Sequence, residues 1–177
     1  MANNESNPRK DLDESCVFCL IPHNRDEVTT VIKQDEELVC FSDIYPAAPH
    51  HYLVVPREHI LSCRSLNRRN IDLVERMAKF GKEVLCEQGI TDLKDVRLGF
   101  HQPPFISVDH LHLHVLAPAS QISSYMEYKF TPGTDRFIIV SLADTFSSSL
   151  SYIIIMLASA SVSSASSGTR SRGQQTQ

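Results

Sequence analysis

His110-Leu111-His112-Leu113-His114-Val115-Leu116 places an imidazole at every second position and closes on two aliphatic residues. In an extended chain successive side chains point to opposite faces, so the three histidines share one face while Leu111, Leu113 and Val115 enter a core. One histidine alone reads as an ordinary packed or surface residue. Three in strict alternation describe a strand over 110–117 with a chemically reactive face. By itself the pattern suits either a metal site or a nucleophilic histidine.

Upstream, residues 37–41 and 51–55 are rich in Val, Leu and aromatics, and the turn from Pro46 to Pro49 between them predicts an antiparallel pair. Asp43 and Ile44 then stand at the end of its first strand. Residues 96–100 predict another strand, joined to the histidine run by a proline-rich loop that passes close to the histidine face. Between these strands, residues 65–89 repeat Ile71, Val74, Ala78 and Leu85 at helical spacing, with Met77 and Val84 beside the stripe. Ser65 is the expected N-cap and Gly89 the expected stop. The charges at Arg68, Asp72, Glu75, Lys79 and Lys82 lie off the stripe and read as a solvated face, which makes this helix scaffold. The expected fold class is α+β, an antiparallel sheet with one long helix packed on it.

A chain of 177 residues with 42% hydrophobic content can bury one ordinary core. Its formal charge of −4 provides no basic footprint, which argues against a strong, sequence-independent grip on nucleic acid. The five cysteines are an odd number spread through expected core segments, so free thiols are expected rather than a disulfide framework. Cys16 and Cys19 have the spacing of zinc ligands. Residues 1–15 are polar and lack an apolar stretch, so they are expected to form a disordered arm without a secretory signal, in a cytoplasmic and also nuclear protein. Residues 145–169 carry no charge and crowd serine around Tyr152-Ile153-Ile154-Ile155-Met156-Leu157, a run too short and too serine-rich for a membrane span. The expected organisation is a domain over 16–137 followed by an atypical, aggregation-prone tail over 138–177.

Three separated motifs, in order, resemble the histidine triad (HIT) family. The seven-residue run fits the family signature His-φ-His-φ-His-φ-φ, with φ apolar, at every position. Asp43-Ile44-Tyr45-Pro46-Ala47-Ala48-Pro49-His50-His51-Tyr52-Leu53-Val54-Val55-Pro56, continuing to His59 and Ile60, is similar to its nucleotide-binding strand pair. Arg97-Leu98-Gly99-Phe100-His101-Gln102-Pro103-Pro104-Phe105 is similar to the type 3 branch of its nucleotide-binding members, and also to aprataxin. The resemblance covers about residues 16–137 and implies the HIT-like form of the α+β fold.

It also implies a chemistry. His112 would attack the α-phosphorus of a nucleoside 5′-phosphoryl substrate to form a covalent nucleotidyl-histidine that water resolves. His114 and His110 would contact the phosphate and position protons, Ser107 would hydrogen-bond the phosphate or leaving group, and His51 would line the site. Asp43 would accept the ribose hydroxyls while Ile44 packs on the base. The implied activity is hydrolysis of adenosine 5′-phosphoramidates to AMP and an amine, with aminoacyl adenylates as further substrates and no cofactor required. The alternatives are another nucleotide linkage, either a dinucleoside polyphosphate or an aprataxin-like adenylate, and a non-catalytic nucleotide- or zinc-binding scaffold. Some family members complete a zinc site with two histidines, for which His51 and His110 are the candidates beside Cys16 and Cys19. A homodimer is expected, and no membrane partner. One departure stands out: Pro103, Pro104 and Phe105 replace a glycine-rich stretch before Ser107, so leaving-group preference is expected to differ.

Overall fold

The computed structural model describes residues 13–141. In chain order these form α1 (Val17–Leu20), β1 (Val31–Gln34), β2 (Leu38–Ser42), β3 (His50–Pro56), α2 (Ile71–Glu87), β4 (Arg97–His101), β5 (Leu113–Ala117), α3 (Ser124–Glu127) and β6 (Phe137–Ile139), with short 3-10 turns between them. The strands make one sheet in the order β1-β2-β3-β5-β4-β6, and every neighbouring pair is antiparallel. The fold is α+β, as the sequence predicts.

Alternation assigns the two faces. Cys40, Tyr52, Val54, Leu113, Val115 and Ala117 point to the side covered by α2, where they meet Val74, Met77, Ala78, Val84 and Leu85. Each large aliphatic side chain buried there contributes about 1.5–3 kcal/mol, so α2 is the main clamp on the sheet. It lies close because Gly81 has no Cβ: one placed there would come within 2.6 Å of Val115 Cγ2. The opposite face carries two smaller clusters. Val39, Phe41, Leu53 and Val55 pack against Phe18, Cys19 and Ile21 near α1, while Leu116 packs with Ala47, Ala48, Phe130 and Phe137.

Several boundaries differ from the sequence reading. The expected strand over 110–117 pairs only from Leu113, opposite Val54. Ahead of it the Pro56 carbonyl is taken by the ring Nε2–H of His110, at 2.9 Å, and Leu111 N–H donates to Ile60 O instead. The helix begins at Ile71 rather than after Ser65, because Ser62 and Asn67 cap two separate 3-10 turns first. Asn67 accepts from Arg69 N–H, and its own backbone N–H is held by the Asn70 side chain. Gly89 does end the segment, with φ of +89°. β1 and β6 were not foreseen. β6 straddles the boundary expected at residue 137, and Val140 N–H still bonds Leu98 O, so the sheet's last strand runs past it. The tail beyond residue 141 and the arm over 1–12 lie outside the described residues. Among the described residues no helix is long and apolar enough to cross a membrane.

Candidate active site

The histidines gather on the sheet face opposite α2, between the two small clusters. β3 delivers His51, β5 delivers His114, and the chain just ahead of β5 delivers His110 and His112; all four are buried. Hydrogen bonds to groups of fixed polarity settle the protons on three of these rings.

His112 comes first. Its Nδ1 lies 2.6 Å from the carbonyl oxygen of His110, which can only accept, so Nδ1 carries the proton and Nε2 carries the lone pair. Burial lowers its pKa, against the opposing pull of that carbonyl and of Asp43. The result is a neutral imidazole with a fixed tautomer and a free Nε2, beside the edge of Phe18.

His51 and His114 form a directed pair. Ala47 N–H donates to His51 Nδ1 at 3.1 Å, so the His51 proton must sit on Nε2. That nitrogen lies 2.9 Å from His114 Nδ1, which therefore accepts, and the His114 proton is left on Nε2. Among the described residues this buried Nε2–H has no partner. A buried donor without an acceptor is costly, and here it is ready for an incoming oxyanion. Burial pushes the pKa values of both rings down, that of His114 well below its ordinary value, so both are neutral near pH 7. Asp43 completes the group, with Oδ2 at 3.4 Å from His51 Nε2 and 3.9 Å from His114 Nδ1, while Oδ1 accepts from Tyr45 N–H.

His110 departs from the expected role. Its Nε2–H is on Pro56 O, and its Nδ1 faces Cys16 Sγ at 3.4 Å and Cys19 Sγ at 3.5 Å. Both ring nitrogens are committed, so the ring is not available to a phosphate; its contribution to His112 is the backbone carbonyl. The zinc candidates are corrected in the same way. His51 is engaged with His114, and the fourth donor beside Cys16, Cys19 and His110 is His59, whose Nδ1 is 3.1 Å from Cys19 Sγ.

These four donor atoms lie within 4.8 Å of one another. Bond lengths of about 2.0–2.3 Å place the edges of a tetrahedral zinc site near 3.3–3.8 Å, and the spacings of 3.1, 3.4 and 3.5 Å fall in or just below that range. The Pro56 carbonyl holds the far nitrogen of His110, the arrangement that turns a histidine lone pair toward a metal.

The remaining expected residues are placed less tightly. Ile44 is 75% exposed beside Asp43, open to a flat apolar partner. Ser107 is exposed on its loop, and its hydroxyl makes no hydrogen bond among the described residues. His101, to which the family resemblance assigns no firm role, has its ring centroid 4.5 Å from that of His114 and donates through Nε2 to Lys129 O. Burial pushes it down to about 4. Phe130 and Phe137 wall the same rings, and only their aromatic character marked them in the sequence.

The family model described as scavenger mRNA decapping enzyme C-terminal binding matches residues 15–128. The adenosine 5′-monophosphoramidase HINT3 of Danio rerio is 51% identical over 128 residues, covering 72% of this chain and 80% of its own. The bifunctional adenosine 5′-phosphosulfate phosphorylase/adenylylsulfatase HINT4 of Arabidopsis thaliana is 44% identical over 108 residues, 60% of this chain and 72% of its own. Among solved structures, a HIT family hydrolase from Clostridium thermocellum is similar with a TM-score of 0.54 and 34% identity, over 58% of this chain and 90% of that one.

Proposed function

This chain belongs to the histidine triad family, and from that premise we propose that it is a nucleoside phosphoramidate hydrolase of the adenosine 5′-monophosphoramidase type, with His112 as the nucleophile. The observation that carries the proposal is the 2.6 Å bond from His112 Nδ1–H to the His110 carbonyl. It leaves the Nε2 lone pair free on a neutral ring, as attack on phosphorus requires.

The Nε2–P bond forms as the P–N bond breaks. The departing nitrogen keeps the bonding pair and takes a proton from solvent, leaving as the amine. Charge on the phosphoryl oxygens is met by the unpartnered Nε2–H of His114. Because His112 keeps its Nδ1 proton, the phosphorylated ring is cationic and leaves readily. Water then attacks phosphorus, the Nε2–P bond breaks, and AMP is released with one proton to solvent. Asp43 has lone pairs to spare beyond Tyr45 and the histidine pair, and takes the ribose hydroxyls; the base lies on Ile44.

A second reading has a specific support. The Arabidopsis relative is named for adenosine 5′-phosphosulfate, so the same attack on an adenylyl phosphorus accepts a sulfate leaving group. Cys16, Cys19, His59 and His110 would hold a structural zinc ion, a closed set with no open position for water and no part in the reaction. Intact-mass analysis of reactions quenched early is expected to find AMP on the protein, and peptide mapping to place it on His112. An adduct on another residue, or turnover persisting in His112→Ala, sinks the proposal.

A further inference from the structure

The loop that replaces the expected glycine-rich stretch is fastened to the segment entering β6. Gln102 N–H donates to Arg136 O at 2.9 Å, its side-chain Nε2 donates to Asp135 O at 3.1 Å, and its own carbonyl accepts from Phe105 N–H at 2.8 Å. The turn so formed sets the Phe105 ring under Arg136, whose guanidinium carbon lies 4.1 Å from the ring centroid. Arg136 is also 5.9 Å from the ring of Tyr128.

This cluster borders the histidines. The carbonyl of Lys129, next to Tyr128, accepts from His101, and the His101 ring lies 4.5 Å from that of His114, tilted by 59°. Ser107 follows Phe105 by two residues on the same loop. Arg136 is half-buried, and no carboxylate pairs with its guanidinium among the described residues, although Glu127 and Asp135 belong to the same region. Stacking fixes a guanidinium through its face and leaves the N–H fork in its plane free, a shape that matches a carboxylate or another oxyanion.

We propose that Arg136, held on Phe105, is a specificity-determining residue for the leaving group, and that it selects phosphoramidates whose amine carries an anion, such as the carboxylate of an amino acid. The proposal rests on the phosphoramidate reading. A neutral amine makes no use of the fork. A carboxylate on the amine supplies the oxyanion that the fork is shaped to take. The neighbouring Lys129, whose Nζ is 6.0 Å from the Tyr128 ring, adds positive charge to the region.

The test compares two substrates, AMP joined through its phosphorus to the amino group of glycine and the same compound with the carboxylate converted to a methylamide. The parent protein is expected to favour the carboxylate in kcat/KM by roughly three- to tenfold, the range for a partly exposed charge pair. In Arg136→Gln that ratio should collapse to near one, and Arg136→Lys should restore part of it. Equal rates in the parent, or a ratio that survives Arg136→Gln, overturn the proposal. An equal loss on both substrates does so as well, since it leaves Arg136 a staple for the loop. Titration of both compounds against His112→Ala keeps the two readings apart, because it reports the preference in Kd without turnover. Failure of the parent to cleave either compound would then count against the hydrolase reading alone, and equal Kd values against Arg136.

Discussion

At the scale of single residues, the pair His51 and His114 is the sharpest test of the site. The proton on His114 Nε2 is there because His51 donates to Nδ1, and His51 can donate because Ala47 N–H occupies its other nitrogen. His51→Ala removes the donor, frees the His114 proton to move to Nδ1, and is expected to cost up to roughly 10²- to 10³-fold in kcat, the scale for one preorganised hydrogen bond to developing charge. His51→Gln returns an N–H donor near the same place and should recover most of the loss. Nitrogen NMR of His114 checks the cause: the parent and the Gln variant should carry the proton on Nε2, the Ala variant a mixture. A parent signal from the Nδ1–H form would refute the assignment. The pH profile follows from His112, whose pKa burial lowers. Its reactive form is the neutral one, so the acid limb of kcat/KM should lie below the ordinary histidine value of about 6.5.

At the scale of elements, β4 leaves no room for a side chain at Gly99. Gly99 pairs with His114 on one side and Ile139 on the other, and a Cβ there would run into the Phe137 ring and the Ile138 carbonyl. Gly99→Ala is therefore expected to lower stability by about 1–3 kcal/mol, and to reduce activity as well because Phe137 walls the His114 ring. Urea unfolding measures the first effect, and an unchanged midpoint would mean that β6 shifts freely. The same elements explain what the sequence made legible. α2 and the histidine alternation carry a local periodicity with one apolar face, whereas β2 and β3 are apolar runs buried on both faces and bounded by a proline turn, so all four could be read from the residues. β1 and β6 have no such signal: Val31–Gln34 and Phe137–Ile139 are short edge strands, fixed by the neighbours they pair with. The zinc candidates divide in the same way. The Cys16 and Cys19 spacing was legible, but the choice of His59 over His51 depends on how the chain turns after Pro56, which no spacing encodes.

At the scale of the whole molecule, two couplings act on stability. The first is with pH. His101 titrates near 4 in the fold, and His112 and His114 are also lowered by burial, whereas the unfolded chain binds these protons near 6.5. Between those values the unfolded state holds more protons, so stability rises with pH, is full above about 6.5 and is lost as pH falls toward about 4. Chemical unfolding across pH 4–8 is expected to show that slope, and His101→Gln should make it shallower without abolishing it; a level profile in the parent would contradict the burial of these rings as neutral groups. The second coupling is with metal. Cys16 and Cys19 come from the first described turn and α1, His59 from the chain after β3, and His110 from the approach to β5, so an ion among them would tie three segments together. One of those segments supplies the carbonyl that orients His112. If the four donors hold zinc, protein purified without chelator carries about one equivalent, and Cys16→Ser loses most of it. Thermal unfolding should then shift downward on chelation in the parent and hardly at all in Cys16→Ser. Cobalt substitution gives a readout independent of both activity and stability: tetrahedral Cys/His ligation produces a strong visible absorption that Cys16→Ser and His59→Gln each remove. A parent protein that binds neither ion would leave the four side chains as a packed thiol–imidazole cluster, and the His110 carbonyl that orients His112 would then be held by that cluster and by the bond from His110 to Pro56, without a metal.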